Sequence, residues 1–321
     1  MKARYLTFFS YIGTPFRSSE KVWIKQGKNS TDTESIQGMM ELGLQKLRPL
    51  NYPNITLSSR TDGGVHALNA SAHFDLNRYG QTIYNTEGIT YTLNKFLFKS
   101  ESSIFVKKCI RVRDDFNARY QAISRTYLYR LAVLKQDVVL PEKPILVSYI
   151  PIEEWNRCHF IRLNGFDIER FKEGAKYLVG YHDFTSFKKF DKLKQYKHNR
   201  REIKSIEVRP GRSSVTSYTF EQDSMFDYWD IEIKGRAFVH NQIRRMVGAL
   251  NCVGTGKIAP EDIKLMLQIP SKHSWPTFIQ TGPPQGLYLC DVEYKPEDLV
   301  YTEDSQEERG VKGSDSEVEY E

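Results

Sequence analysis

Between Ile55 and Leu76 the chain sets up one carboxylate for chemistry. Ile55-Thr56-Leu57 is a short apolar run that reads as a strand, and Ala70 to Leu76 alternates as a second. Ser58-Ser59-Arg60-Thr61-Asp62-Gly63-Gly64-Val65-His66-Ala67 joins them. The paired glycines make this join a tight turn, with Asp62 at its tip between a cation and a flexible backbone. Ordinary turn chemistry uses the same residue types, because Asp bonds its own backbone two residues on and Gly supplies positive φ. A carboxylate presented this way can serve as a nucleophile if a guanidinium keeps it ionised in a dry pocket. Arg60 shares the side-chain direction of Asp62 if the segment is extended. There it either assists the carboxylate or stands as a phosphate contact or surface charge.

Three further segments carry candidate residues. Phe238-Val239-His240-Asn241-Gln242-Ile243-Arg244-Arg245-Met246-Val247-Gly248 reads as a helix, and the spacing of Ile243, Met246, Val247 and Leu250 buries one side of it. Its two arginines are otherwise a solvated face. Ser124-Arg125-Thr126-Tyr127-Leu128-Tyr129-Arg130 reads as a strand with both tyrosines on one face. One ring can contact a substrate while the other packs deeper, and the competing reading is a pair of core tyrosines. Residues 188 to 204 hold eight bases and two acids, with Phe190 and Tyr196 interleaved. Lys188, Lys189, Lys192, Lys194, Lys197, Arg200 and Arg201 there suit an RNA backbone or, alternatively, a solvated loop.

The elements that must hold these residues follow from periodicity. Strands are expected at 4–11, 54–59, 70–76, 103–112, 125–134, 201–209, 226–236 and 287–294. Helices are expected at 31–47, 86–97, 167–178, 240–253 and 260–268. Thr31-Asp32-Thr33-Glu34 reads as a capping box opening the first helix, with Thr31 as N-cap. The pattern divides into an α+β half at 1–134 carrying the Asp loop, a linker at 135–145, a second α+β half at 146–299, and an acidic, disordered tail at 300–321. Two such halves facing each other leave a cleft for a large substrate.

Composition narrows the class. The 321 residues are 40% hydrophobic and 27% charged, an ordinary globular balance. No run approaches the ~20 apolar residues of a membrane helix. The opening residues have no apolar signal core, so an intracellular protein is expected, in the cytoplasm or, given the basic start, the mitochondrion. Cys109, Cys158, Cys252 and Cys290 are scattered, which argues against a disulfide framework or zinc site. The net charge of +6 conceals a tail at 302–321 of net −6 and a body of net +12. A basic body points to a polyanionic partner, nucleic acid first.

Taken together, these segments resemble the tRNA pseudouridine synthase A family. The Asp loop resembles its R-T-D-A-G-V-H-A signature, and Phe238 to Gly248 its F-x-x-x-M-V-R-N-x-V-G segment. Ser124 to Arg130 resembles its R-x-Y-x-Y strand. Phe116-Asn117-Ala118-Arg119, His182-Asp183-Phe184-Thr185-Ser186-Phe187 and Gly286-Leu287-Tyr288-Leu289 resemble its F-x-A-R, H-D-F-x-x-F and G-L-x-L. The resemblance implies two ferredoxin-like or RRM-like halves, with mixed or antiparallel sheets flanking a central RNA-binding cleft. It implies Asp62 as the catalytic residue, Arg244 as its partner with Arg60 assisting, and Tyr127 stacking on the target base. Tyr129, His66 and Arg245 complete the expected substrate-binding set.

Two departures mark a divergent, eukaryotic-like branch. Gly63 stands where the family has Ala, which is expected to loosen the loop while keeping its turn. Arg17-Ser18-Ser19-Glu20 and a longer stretch to Ser35-Ile36-Gln37 replace the family's G-W-Q after Tyr11-Ile12-Gly13-Thr14-Pro15-Phe16.

The expected activity is isomerisation of uridine to pseudouridine in tRNA, near positions 38 to 40 of the anticodon stem-loop. No cofactor or metal is called for, and a homodimer is expected from the bacterial members. A zinc deaminase would need H-x-E and P-C-x-x-C, and the chain has neither. A non-catalytic RNA-binding or RNA-folding factor on the same scaffold, or a synthase acting on another RNA class such as mRNA, are the alternatives.

Overall fold

The last strand of the chain lies at the centre of its sheet. In the computed structural model, which describes residues 1–21, 32–138, 149–162, 165–189, 198–214 and 225–301, ten strands form one mixed sheet. They are β1 (Lys2–Tyr11), β2 (Ile55–Leu57), β3 (His66–Asn77), β4 (Ile104–Val112), β5 (Ser124–Leu134), β6 (His159–Ile161), β7 (Gly180–Asp183), β8 (Arg200–Pro210), β9 (Phe226–Gly235) and β10 (Leu287–Glu293). The order is β4-β1-β3-β10-β5-β9-β8-β7, with β2 against β3 and β6 against β5. Every pairing is antiparallel except β10 with β3 and β6 with β5.

Helices α1 (Ile36–Gln45) and α2 (Thr86–Lys99) pack together beside β2 and β4. Helix α3 (Ile168–Lys176) packs on α4 (Gln242–Gly254) and α5 (Pro260–Gln268). One apolar core runs beneath both groups, from Tyr5 and Leu6 through Leu93 and Tyr129 to Leu250 and Leu289. Strand β1 shows why: Tyr5, Leu6, Thr7, Phe8 and Phe9 are all buried, so both of its faces are covered.

The sheet explains where the Asp loop emerges. One edge of β3 has two successive neighbours. β2 pairs with it at Ala72 to Phe74, and β10 pairs with it at His66 and Ala67. Residues 58–65 leave the end of β2 and return to the start of β3 across this change of neighbour. The loop is thereby delivered beside β5, the next strand after β10.

The first helix differs from its expectation. It starts at Ile36 with Ser35 as N-cap, whose hydroxyl accepts from the Gly38 amide at 3.1 Å. Glu34 lies before the helix and instead takes a salt bridge from Arg17 at 2.7 Å. The extended backbone of Ser35 pairs with Ser18, which fixes the helix start at that point. Thr31 lies outside the described residues, as do Lys192, Lys194, Lys197, most of the expected linker and residues 302–321 of the acidic tail. β6 and β7, three and four residues long, have no counterpart among the expected strands. Among the described residues no helix is long and apolar enough to cross a membrane.

Candidate active site

Asp62 is held from three directions. From the N-terminal side, Ser18 forms a bridge with Asp62 itself, and the Ser19 amide donates to the Thr61 carbonyl at 3.1 Å. The Ser19 hydroxyl accepts from the Thr61 amide at 2.7 Å, and the Tyr11 hydroxyl bonds the Thr61 side chain at 2.8 Å. From β5, Arg125 donates to the Ser58 carbonyl at 2.8 Å and the Tyr127 hydroxyl meets that of Ser59 at 2.8 Å. From α4, Arg244 Nη1 donates to Asp62 Oδ2 at 3.0 Å.

The glycines of the loop have distinct tasks. Gly64 takes φ of +80°, a conformation costly for other residues. A Cβ on Gly63 would stand 2.4 Å from the Arg17 carbonyl oxygen. Gly63 therefore permits a close backbone approach that an Ala at this position would block. It lets the Arg17–Glu20 segment, where the sequence departs from the family, press against it.

Arg244 is fixed by more than its carboxylate. Its Nε donates to the Gly282 carbonyl at 2.8 Å and its Nη1 also donates to Asn241 Oδ1 at 3.0 Å. Asn241 caps the helix with φ of 61°, in the left-handed region that Asn tolerates best after Gly. Just before it, His240 brings Nε2 to 3.4 Å from Asp62 Oδ1. Burial by itself raises the pKa of the Asp62 carboxyl. His240 and Arg244 more than offset that, so it stays below the usual carboxylate range. The site therefore offers an ionised carboxylate with one oxygen committed to Arg244 and the other turned to a half-exposed imidazole.

Of the other expected site residues, Tyr127 reaches the Asp loop, whereas Arg60, Tyr129, His66 and Arg245 take partners elsewhere. Arg60 is exposed and pairs with Glu20 at 2.5 Å, away from Asp62. β2 ends at Leu57, so the alternation that put Arg60 beside Asp62 does not extend that far. Tyr127 is buried, with its ring edge-on to Phe238 at 5.2 Å, and burial raises its phenol pKa. Tyr129, expected to touch substrate, is fully buried. Its hydroxyl bonds the Pro283 carbonyl at 3.0 Å and His159 Nδ1 at 3.1 Å. His66, also expected at the substrate, is fully buried and stacked on Tyr288, because the short parallel pairing of β3 with β10 covers it. Its Nδ1 accepts from the Gly13 amide.

Arg245 points away from Arg244, as adjacent helical residues do at about 100° per residue. It lies 3.7 Å over the Trp275 ring and donates to the Ser186 carbonyl. Burial lowers its pKa to about 10. Lys189 donates its amide to the His240 carbonyl at 3.1 Å, so the start of the basic stretch anchors the site through its backbone. Lys188 precedes it on the same turn, and Arg200 and Arg201 lie on β8, opposite Asp183 and His182 of β7. Among the described residues no group of three His, Cys, Asp or Glu side chains could hold a metal.

Sequence reasoning missed His240, Ser19 and Ser59. None left a signal: His240 stands four residues before Arg244, but the helix begins at Gln242, after the left-handed Asn241, so helical spacing does not place it.

Comparison with known proteins places this geometry in a family. A family model described as tRNA pseudouridine synthase matches residues 175–295. A tRNA pseudouridine synthase-like 1 of Xenopus laevis is 34% identical over 295 residues, covering 91% of this chain and 92% of its own. Its human namesake is 32% identical over 300 residues, covering 92% and 91%. A tRNA pseudouridine synthase A of Jannaschia sp. is 31% identical over 293 residues, covering 91% and 95%. With likeness of this extent reaching across the Asp loop, β5 and α4, the chain belongs to the tRNA pseudouridine synthase family, whose members are isomerases.

Proposed function

We propose that this protein converts uridine to pseudouridine in the anticodon stem-loop of tRNA, near positions 38 to 40, with Asp62 as the nucleophile. The observation that carries the reading is the pair between Asp62 and Arg244, residues 182 apart in sequence and 3.0 Å apart in space. The reaction breaks the bond between C1′ and N1 and joins C1′ to C5. The C5 proton is lost and N1 is protonated, so the change is redox-neutral. An ionised carboxylate attacking C1′ or C6 initiates it, and the target base must first leave its stack.

Arg244 keeps the carboxylate charged and leaves Oδ1 for attack. Tyr127 bonds Ser59 of the Asp loop, and its ring, covered by Phe238 in the free protein, is the surface on which the flipped base stacks once Phe238 gives way. Arg60, exposed at the rim, suits a backbone phosphate better than the carboxylate. Arg200 and Arg201 extend the basic surface. A homodimer, with tRNA reaching across both subunits inside the cell, completes the proposal.

The test is to incubate the purified protein with unmodified cytosolic and mitochondrial tRNAs and map pseudouridine base by base. New pseudouridine at positions 38 to 40 is expected. Pseudouridine confined to another region or another RNA would overturn the site assignment. Binding without any conversion would make the protein a non-catalytic RNA-binding factor.

A further inference from the structure

Arg125 is a buried cation held by three carbonyls. It is only 7% exposed, and its guanidinium donates to the Arg236 carbonyl at 2.6 Å, the Ser58 carbonyl at 2.8 Å and the Arg119 carbonyl at 2.9 Å. No carboxylate forms a salt bridge with it among the described residues. A charge without a counter-ion in such a place carries a desolvation cost that only well-made charge-assisted bonds offset.

The three carbonyls belong to segments distant in sequence. Ser58 opens the loop that carries Asp62. Arg236 opens the segment that carries His240 and Arg244. Arg119 lies between β4 and β5. Two residues on, Tyr127 on the same face of β5 bonds Ser59. Successive inward side chains of one strand thus grip successive residues of the Asp loop. The first of them also grips the connection that leads to the partner of Asp62.

We infer that Arg125 is a positioning residue for the isomerisation, which sets the separation of Asp62 from Arg244 without touching substrate. The inference rests on the reading of Asp62 as the reacting group. A guanidinium suits the task because its planar fork can serve several acceptors in fixed directions, which an ammonium cannot. A catalytic pair displaced by about 1 Å loses on the order of 100-fold in rate.

The test is Arg125→Lys, with single-turnover rate, tRNA affinity and the acid limb of the rate profile measured per folded molecule. Ser59→Ala, which removes only the neighbouring grip, serves as the milder second variant. The expected result for Arg125→Lys is a fall of about 10- to 100-fold in the chemical rate, with tRNA affinity retained. The acid limb should also move to higher pH as the hold of Arg244 on Asp62 slackens. Ser59→Ala should move both readouts in the same direction by less. Added guanidinium should restore rate to Arg125→Ala. An unchanged rate per folded molecule, or a slowed rate with an unmoved acid limb, would overturn the inference. Should wild type itself make no pseudouridine, the proposed function fails instead, and the two failures are thereby told apart.

Discussion

Two carboxylates, the part-buried Asp62 and the buried Glu154, each face an arginine, and they are finished differently. Glu154 is fully buried. Arg130 grips both of its oxygens, Nη1 to Oε2 at 2.7 Å and Nη2 to Oε1 at 3.0 Å, and the Ser214 amide adds a bond at 2.5 Å. Among the described residues Asp62 has a single bond from Arg244 on Oδ2, while Oδ1 meets His240 at 3.4 Å, and its side chain is 29% exposed. In both acids burial alone works to raise the pKa; His240 and Arg244 together outweigh it at Asp62, and Arg130 with Ser214 at Glu154. Ionisation is therefore common to the two. Asp62 differs in having an oxygen left over and open to approach. Arg244 makes this possible by turning its Nε to Gly282, so that it cannot also close on Oδ1. An arginine near an acid marks a reactive site only when the pair is left incomplete.

This contrast can be broken by exchanging what each pair is asked to do. Glu154→Gln leaves Arg130 buried without its counter-charge and should cost about 3–5 kcal/mol of unfolding free energy. Pseudouridine formation per folded molecule should stay near that of wild type. Denaturant unfolding and a rate measurement on the same sample check both. A stable variant, or one folded but inactive, would erase the distinction between the two acids.

Arg244→Met should show the converse. A fall of about 10²–10³ in rate is expected for loss of a preorganised charged partner. Burial then raises the Asp62 carboxyl pKa unopposed by the guanidinium, so the acid limb of the rate moves to higher pH. An acid limb that stays in place would show that Arg244 does not govern this carboxyl.

The pH dependence of stability sharpens the contrast further. His66 and His73 are buried, their Nδ1 atoms accept from the Gly13 and Ala118 amides, and burial lowers each pKa to about 4. The unfolded chain binds protons on them below their ordinary pKa of 6.5, and the folded protein does not until about pH 4. Stability should fall as pH drops through that window, by on the order of 1–2 kcal/mol per histidine at pH 5. Asp62 remains ionised over the same range, so the rate per folded molecule should not fall with stability. Parallel denaturation and rate series at pH 7 and pH 5 test this.

The smallest effect is expected at His240, which is half-exposed and meets Asp62 on Oδ1, the oxygen not held by Arg244. His240→Gln should slow the reaction by about threefold, short of the tenfold that about 1.4 kcal/mol represents, with an upward move of the acid limb. A loss as large as that of Arg244→Met would require His240 to share in the chemistry.

Much of this was legible before any coordinates. Strand β9, expected at 226–236, spans Phe226–Gly235, and Ile231 and Ile233 on it are fully buried. The approach of Arg244 to Asp62 was expected from the resemblance of two segments. The misplacements share a cause, which is that alternation and motif matching give a side chain's direction only within a regular element. Arg60 lies beyond the end of β2, and His240 lies before the start of α4, where Asn241 reverses the backbone. His66 matched a motif, yet its place in the sheet depends on β10, more than two hundred residues later in the chain. The grips of Ser19 and Arg125 run largely through backbone atoms, which leave no mark on residue type.

The central claim, that the unfinished carboxylate of Asp62 carries the isomerisation, is tested most directly with Asp62→Asn. The variant keeps the shape of the side chain and removes its charge. Under single-turnover conditions, with enzyme in excess over an unmodified tRNA transcript, it should form no pseudouridine while still binding the tRNA and unfolding cooperatively. Conversion by Asp62→Asn at a rate near that of wild type would contradict the claim.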